Sequence, residues 1–274
     1  MTIFQTRLKI GILGCGAIGS RIAKSVTNEL KTECQLAGLF DIDRAKLKQL
    51  TAELKRTNIA KPTLKALIQS CDFVVEAVNA PVIHEIVEQT LKARKSILVM
   101  SVGKLLNAKT LFNLARKNKC HILFPSGAIA GLDAVKAASL GKIESVTLTT
   151  RKSPAGFRNN AYLIKKKIDL TKIKKETVLF QGSVDRAVRI FPQNINVAAA
   201  LALASRFKNV LIRIIASPKF TRNSHEIDVR GDFGRIHTWT DNVVCPDNPK
   251  TSYLAVLSGI QTLKQFASGV FIGT

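Results

Sequence analysis

The chain is poor in acidic residues and aromatic side chains, and each shortage bears on the class of protein. Among 274 residues there are 19 acidic side chains against 42 lysines and arginines, which gives a net charge of +23. Such an excess is typical of nucleic-acid-binding proteins. However, one tryptophan and two tyrosines leave few rings on which bases could stack. The basic residues are also spread along the whole chain, so we expect a lysine-rich solvated surface and no nucleic-acid partner.

Clustered cysteines and long apolar segments are also missing. The five cysteines are scattered, and no Cys-x-x-Cys or Cys/His cluster occurs, which predicts neither a disulfide framework nor a metal site. No apolar run reaches the roughly 20 residues that span a bilayer. The N-terminal stretch lacks the charged start and apolar core of a secretory signal. We therefore expect a cytoplasmic chain with reduced thiols and no membrane partner.

The most informative local pattern is a Gly-x-Gly-x-x-Gly turn at Gly14, Gly16 and Gly19. An apolar strand pattern precedes it, and a helical pattern follows it. This context predicts a dinucleotide-binding turn, in which the glycines allow a tight turn and a close approach of the backbone to the pyrophosphate. The N–H groups at the helix start, those of Ala17 and Ile18 included, would face the anion.

An acidic residue, Asp41, ends the next apolar segment, 22 residues after Gly19. A carboxylate at this distance binds a ribose 2′-hydroxyl and repels the 2′-phosphate of NADP. Arg44 and Lys46 follow closely and could tolerate that phosphate. We therefore predict NAD as the cofactor, with some use of NADP. A kcat/KM for NADP clearly above that for NAD would contradict this expectation.

The order of strand and helix patterns predicts two domains. Strands and helices first alternate, which indicates an α/β fold with a Rossmann-type, doubly wound parallel sheet. Later β-type runs have few helices between them, apart from one predicted over Pro192–Ser205, and indicate a second α+β domain on a mostly antiparallel sheet. A last helical pattern starts at Asn248. We expect a dinucleotide-binding domain of residues 1–124, completed by a helix within 246–274, and a catalytic domain of residues 125–245.

Four polar strings follow the glycine turn in positions suited to chemistry. They are Ser126-Gly-Ala-Ile-Ala-Gly-Leu-Asp, Phe191-Pro-Gln-Asn-Ile-Asn-Val-Ala-Ala, Asn223-Ser-His-Glu-Ile and Asn248-Pro-Lys-Thr-Ser-Tyr-Leu-Ala. In this order after the glycine turn, they resemble the L-aspartate dehydrogenase family, and the resemblance covers essentially the whole chain. It implies NAD(P)-dependent oxidation of L-aspartate to iminoaspartate, which feeds NAD biosynthesis, or the reverse amination of oxaloacetate with ammonia.

The resemblance also implies roles for particular residues. His225 corresponds to the catalytic acid/base of the family. Ala128 and one of the two amides Asn194 and Asn196 correspond to residues that contact the nicotinamide end of the cofactor. We also expect the chain to be a homodimer.

The residues themselves support an acid/base role for one histidine. Oxidation of an amino acid requires a group that takes the ammonium proton, and histidine titrates near neutrality. We interpret His84, His121 and His237 as packed or surface histidines. On the residues alone, His225 is equally well explained as a strand-end histidine paired with Glu226, and the surrounding string favours catalysis.

The substrate carries two carboxylates, so its site needs cations or amide donors. Asn223 lies two residues before His225 on an extended chain and points to the same face. We expect Asn223, Ser126 and Lys250 to contact the substrate. Each candidate cation is individually more typical of a surface charge in so basic a chain: Arg151, Lys152, Arg222 and Lys250.

Two alternatives remain open on the sequence. One is a related two-domain reductase, such as dihydrodipicolinate reductase or homoserine dehydrogenase. The other is a non-catalytic protein that binds NAD or nucleic acid, which only the net charge favours. Formation of reduced nicotinamide with L-amino acids would separate these hypotheses from the first.

Overall fold

The chain leaves its first compact unit after Pro125 and returns to it at Val256. A computed structural model describes residues 7–191, 195–245 and 248–274, with the backbone alone for residues 248–250. One unit comprises Met1–Pro125 and Val256–Ile272. The other comprises Ser126–Ala255 and Gly273–Thr274. No helix among the described residues has the length and apolar character needed to cross a bilayer.

The first unit is built on a parallel sheet of five strands. They are β1 (Leu8–Leu13), β2 (Cys34–Phe40), β3 (Phe73–Glu76), β4 (Ser96–Val99) and β5 (Ile122–Leu123), in the order β2-β1-β3-β4-β5. The helices are α1 (Ala17–Thr27), α2 (Arg44–Glu53), α3 (Leu64–Gln69), α4 (Ile83–Lys92) and α5 (Lys109–Lys117), with 3₁₀ turns at Thr57–Ile59 and Val102–Leu105. The strand order reverses between β1 and β3, which confirms the predicted doubly wound sheet.

The second unit is built on a mixed sheet of five strands. In chain order its elements are α6 (Leu132–Ala138), β6 (Ile143–Lys152), α7 (Ala161–Lys165), β7 (Thr177–Ser183), α8 (Val184–Ile190), α9 (Asn196–Ser205), β8 (Leu211–Ala216), β9 (Asn223–Gly231) and β10 (Gly234–Asn242), with 3₁₀ turns at Pro154–Phe157 and Leu170–Lys172. The strand order is β10-β9-β6-β8-β7. The pair β6–β8 is parallel and the other three are antiparallel, which confirms the mostly antiparallel sheet.

The chain ends with a short strand pair, β11 (Val244–Cys245) and β12 (Asn248–Ser252), followed by helix α10 (Tyr253–Ser268). The prediction of a helix from Asn248 was therefore wrong at its start. A physical reason is Pro249, since a residue before proline is driven towards an extended backbone. The helix predicted over Pro192–Ser205 begins at Asn196, and α8 precedes it unpredicted.

Apolar side chains cover both faces of the parallel sheet, which explains the nearly continuous apolar runs of its strands. On one face, Phe73 packs with Leu263 and Phe266 of α10, and the rings of Phe73 and Phe266 are 4.7 Å apart. On the other face, Val74 and Ile97 pack in a second core with α3, α4 and α5. The last helix of the chain therefore belongs to the core of the first unit.

Candidate functional site

The glycine turn joins β1 to α1 at the carboxyl end of the parallel sheet. Gly14 has φ +101°, a conformation that favours glycine, and a Cβ there would lie 2.5 Å from the Ala77 carbonyl oxygen. A Cβ on Gly19 would lie 1.9 Å from the Gly14 carbonyl oxygen. Backbone packing within the turn therefore requires both glycines.

Gly16 differs from the other two glycines because no described atom lies within 4 Å of a Cβ built on it. It is the N-cap of α1 and has no side chain with which to cap that helix. The N–H groups of Ala17, Ile18 and Gly19 have no partner within the helix, and they carry the positive end of its dipole. The open space at Gly16 and these donors fit the pyrophosphate of a dinucleotide.

Asp41 follows β2, and two backbone N–H groups hold its buried carboxylate. Cys15 N donates to Oδ2 at 2.7 Å, and Asp43 N donates to Oδ1 at 2.8 Å. The carboxylate is thereby fixed beside the glycine turn. Of the two cations that follow it, Arg44 donates to a backbone carbonyl at 2.9 Å, and Lys46 pairs with Asp43 at 3.1 Å. This arrangement suits a ribose with a free 2′-hydroxyl.

Glu76, the last residue of β3, is fully buried. Its Oε1 accepts from Val78 N at 2.7 Å and from Ser101 Oγ at 3.0 Å, and its Oε2 accepts from Ser101 N at 3.1 Å. Burial raises the pKa of this carboxyl to about 7, although the hydrogen bonds act in the opposite direction. Glu76 therefore ties together the turns that follow β3 and β4.

On the sheet of the second unit, one face changes from apolar to polar at the same level on β6 and β9. The side chains of this face are apolar up to Leu148 on β6 and from Ile227 onward on β9, and His225 is the register partner of Thr150 on β6 and of Thr240 on β10. Because successive side chains alternate between the two faces of a strand, six polar side chains at and beyond the level of His225 share this face. We call them the polar cluster: Thr150, Lys152, Asn223, His225, Thr240 and Asn242.

His225 is the imidazole of the polar cluster, and it is 4% exposed. Its Nδ1 lies 3.0 Å from Thr150 Oγ1. Burial, and then the charge of Lys152, lower the pKa of His225 to about 3, so the ring is neutral near pH 7. No described residue hydrogen-bonds to Nε2, which leaves this nitrogen available to a ligand.

Lys152 ends β6 and lies two residues beyond Thr150 on the same face. It is 8% exposed, and burial lowers the pKa of its amine to about 8. The amine therefore stays charged near pH 7, and its charge acts on His225. The interpretation of Lys152 as a surface charge was wrong, because its face of β6 is the buried one.

Ala128 is held against β10 by two members of the polar cluster. Its carbonyl oxygen accepts from Thr240 Oγ1 at 2.9 Å and from Asn242 Nδ2 at 3.1 Å. Both lone pairs of this oxygen are thereby used, so a ligand could reach Ala128 only at its N–H or its methyl group. Asn242 Oδ1 is buried and has no hydrogen-bond partner among the described residues. Ser126 lies in the same loop and is half-buried.

Arg151 and Glu226 lie on the opposite face of this sheet. Arg151 Nη2 is 2.7 Å from Glu226 Oε2, and its guanidinium lies 4.6 Å from the centre of the Trp239 ring. His237 Nε2 is 3.8 Å from Glu226 Oε1. The alternative in which Glu226 pairs with His225 was therefore wrong, since neighbours along a strand face opposite sides.

The remaining predicted site residues are exposed or lie outside the described residues. Asn196 begins α9 and is exposed, and Arg222 is exposed before β9. Asn194 lies outside the described residues, as does the side chain of Lys250, whose backbone is in β12. Within the described part of the chain, no three His, Cys, Asp or Glu side chains form a group that could hold a metal ion.

Sequence reasoning assigned no role to Thr150, Thr240 and Asn242, which are common residue types; Thr150 stands within Leu148-Thr-Thr-Arg-Lys, a string that resembles the family. A signal was available for β6, where the alternation that buries Leu148 also places Thr150 and Lys152 on the buried face. No comparable signal marked β10, because its alternate residues are only half-buried.

Comparison with known proteins assigns the chain to a family. The family model described as aspartate dehydrogenase, C-terminal, matches residues 133–266, and the NAD binding domain of homoserine dehydrogenase matches residues 14–125. The L-aspartate dehydrogenases of Methanosarcina barkeri and Methanococcus maripaludis strain C6 are 45% and 39% identical to the chain, over 97% of it and 100% of each relative. The chain belongs to the L-aspartate dehydrogenase family. This membership confirms the family that the motifs predicted. It also confirms that the chain is an NAD(P)-dependent amino-acid dehydrogenase.

Solved structures confirm the predicted fold class. Aspartate dehydrogenase from Thermotoga maritima shares the fold with a TM-score of 0.74 at 23% identity, over 97% of this chain and 100% of that one. A hyperthermophilic archaeal homoserine dehydrogenase in complex with NADPH shares it with a TM-score of 0.61 at 13% identity, over 98% and 99%. The aspartate dehydrogenase model matches residues 133–266, which include most of the second unit, whereas the homoserine dehydrogenase model matches the NAD-binding part. The match over the second unit therefore distinguishes the aspartate dehydrogenase family from homoserine dehydrogenase.

Proposed function

We propose that the protein oxidises L-aspartate to iminoaspartate with NAD⁺, and that it also aminates oxaloacetate with ammonia in the reverse direction. The observation that carries this proposal is the polar cluster, in which an imidazole with an available Nε2 lies beside a buried cation. The names of relatives 45% identical to the chain support the choice of substrate. Iminoaspartate made in this way would feed NAD biosynthesis.

The cofactor binds the glycine turn and Asp41 in this proposal, and NAD is preferred over NADP. When bound, the cofactor supplies the nicotinamide carbon that receives the Cα hydride of the substrate. Gly16 and the N–H groups at the start of α1 would hold its pyrophosphate, and Asp41 would hold its adenosine ribose. The full set of cofactor contacts that we propose is Gly14, Gly16, Ala17, Ile18, Gly19, Asp41, Ala128, Asn194 and Asn196.

His225 handles the substrate proton. An ammonium nitrogen has no lone pair from which a C=N bond can form, so the amine must first lose a proton. His225 is neutral near pH 7, and its Nε2 takes that proton. Loss of the Cα hydride then leaves a protonated imine. In the reverse direction the imidazolium returns the proton to the nitrogen, so one proton balances each turnover.

Thr150 sets the tautomer that this role requires. For Nε2 to accept a proton, Nδ1 must carry the ring hydrogen and donate it to Thr150 Oγ1, 3.0 Å away. Asn223, on the same face, orients the substrate together with Ser126 and Lys250.

The test is the absorbance of reduced nicotinamide formed from a panel of L-amino acids with NAD⁺ and with NADP⁺. We expect the highest kcat/KM for L-aspartate with NAD⁺. His225→Ala should lower kcat by about 10²–10⁴ and leave the Kd for NAD⁺ nearly unchanged, because the side chain acts on the substrate proton. The matched control is His84→Ala, which removes an exposed histidine of α4 in the first unit and should retain activity. Full activity of His225→Ala would reject its role, and a better amino-acid substrate would reject aspartate.

We also propose that the chain works as a homodimer in the cytoplasm. The sheet face opposite the polar cluster exposes Trp239 and carries charges of both signs, Arg151 and Arg235 with Glu226 and Asp228. Two copies could therefore meet there in spite of the net charge. The five free thiols fit a reducing compartment. Sedimentation equilibrium should give twice the chain mass of 29.9 kDa, and a monomer at micromolar concentration would contradict the dimer.

A further inference from the structure

Lys152 has a position that suits recognition of an anion. It lies on the face of β6 that carries Thr150, and it is 8% exposed. Gly156 packs against its stem, since a Cβ on that residue would lie 3.4 Å from the lysine side chain. Burial disfavours the charged form of this amine, and an approaching carboxylate would favour it.

His225 is acted on by the charge of Lys152 and, among the described residues, by no other charged side chain. Arg151 and Glu226 lie on the opposite face of the sheet. Helix α9, which packs against β6, has no charged residue between Asn196 and Ser205. The charged residues of α6 and α8 are exposed: Asp133, Lys136, Asp185, Arg186 and Arg189.

We propose, on the basis of the aspartate oxidation proposed above, that Lys152 binds a carboxylate of the substrate and that this contact makes His225 a stronger base. Lys152 would thus be both a specificity residue for anionic substrates and a positioning residue for proton transfer.

The argument follows from the charges. In the free protein, the ammonium of Lys152 disfavours the imidazolium, and together with burial it holds the pKa of His225 near 3. A carboxylate bound to Lys152 neutralises this effect, so the pKa of His225 rises. The base is then stronger with substrate than without it. A dicarboxylate substrate can satisfy Lys152 with one group while the amine of its α-carbon meets Nε2.

The first test uses ¹⁵N NMR of His225 and succinate, a dicarboxylate with no amine to oxidise. Between pH 5 and 8 we expect a neutral imidazole in the free native protein, and succinate should raise the pKa of His225 by roughly one pH unit, because it neutralises the Lys152 charge. In Lys152→Met, succinate at the same concentration should leave the ring unaffected. In the free protein the same variant should raise the pKa of His225 by roughly one pH unit, because the opposing charge is gone.

The matched control is Lys142→Met, the same replacement of an exposed lysine just before the opposite end of β6. It should behave as the native protein in every measurement. An equal effect of succinate on Lys152→Met and the native protein would overturn the proposal. So would the absence of any succinate effect on the native protein.

Steady-state kinetics separate binding from chemistry. Lys152→Met should raise KM for L-aspartate by roughly 10- to 100-fold, the value of a lost charge-assisted hydrogen bond, with a much smaller change in kcat. The Kd for NADH should not change. A fall in kcat with an unchanged KM would reject carboxylate binding.

A measurement on the native protein covers the case in which Lys152→Met does not fold. Burial lowers the pKa of Lys152 to about 8, so the Kd for succinate should rise about tenfold per pH unit well above that value. A flat Kd up to pH 10 would overturn the proposal. These binding readouts do not depend on turnover. A native protein that binds succinate in this way and yet fails to oxidise aspartate would reject the proposed function alone.

Discussion

The two units treat their buried polar groups in opposite ways. In the first unit, both carboxylate oxygens of Asp41 and of Glu76 accept hydrogen bonds from neighbouring backbone N–H groups. In the second unit, His225 Nε2 has no described partner, and Asn242 Oδ1 is buried without one. The hydrogen bonds to Asp41 and Glu76 fix backbone turns in the first unit. In the second unit, His225 Nε2 and Asn242 Oδ1 stay available to a ligand.

Under the proposed function, this difference separates a region that would hold the cofactor from a region that would act on the substrate. A buried polar atom without a partner costs about 1–3 kcal/mol, so its presence in a well-packed sheet indicates a purpose other than stability. The glycine turn and its carboxylates would form a rigid support for the cofactor. In the polar cluster, His225 Nε2 and Asn242 Oδ1 would be open to the substrate.

The largest expected effect comes from Gly19→Ala, which tests the rigid support. The new Cβ would meet the backbone carbonyl of Gly14, which cannot move unless the turn opens. We expect a loss of more than about 4 kcal/mol in the free energy of unfolding of the first unit and no measurable NAD⁺ binding. Urea denaturation and titration calorimetry check the two outcomes.

Gly16→Ala is the matched control, because the same methyl group enters open space three residues earlier. The free energy of unfolding should change by less than about 1 kcal/mol. The Kd for NAD⁺ should still rise at least about tenfold, because the methyl group occupies the space of the pyrophosphate. Native affinity in this variant would show that the pyrophosphate does not lie over Gly16.

A smaller effect, about 2 kcal/mol, should appear in how stability depends on pH. Burial lowers the pKa of His225 to about 3, below its ordinary value of 6.5, so its contribution to stability is present above pH 6.5 and is lost as the pH falls towards 3. Between pH 6.5 and 4.5, the native protein should therefore lose about 2 kcal/mol in its free energy of unfolding that the His225→Gln variant does not lose. Unfolding midpoints in urea at several pH values measure the slope.

Glu76 should show the opposite slope over the same pH range. Burial raises its pKa from 4.5 to about 7, so its contribution is present below pH 4.5 and is lost as the pH rises through 7. Between pH 4.5 and 6.5, the free energy of unfolding of the native protein should therefore fall by about 2 kcal/mol relative to that of the Glu76→Gln variant. If both variants changed the slope in the same direction, the contrast between the two buried groups would be wrong.

Much of the fold was predictable because the strands of the first unit are short apolar runs separated by amphipathic helices. The pairing of β6 with β8 was not, since a parallel neighbour far along the chain leaves no local pattern. The strand at Asn248–Ser252 was mistaken for a helix start because its polar residues directly precede the apolar spacing of α10.

The site was predictable where a string of residues carries it and not where the sheet assembles it. His225 and Gly14 stand in recognisable strings. Thr150 and Asn242 join His225 only through strand register across β6, β9 and β10. Lys152 was misjudged because the lysine-rich composition suggested an exposed side chain. The two-residue alternation of β6 instead places it on the buried face of the sheet.

Helix α10 has a consequence for the order in which the chain folds. Its Leu263 and Phe266 complete the core around Phe73, yet the 130 residues from Ser126 to Ala255 are synthesised in between. On the ribosome, the half that starts the chain must wait with the part of one sheet face that α10 covers still exposed, although α1 and α2 already pack on that face. The inserted half, residues 126–255, emerges as one continuous segment. We therefore expect the middle of the polypeptide to mature before its beginning.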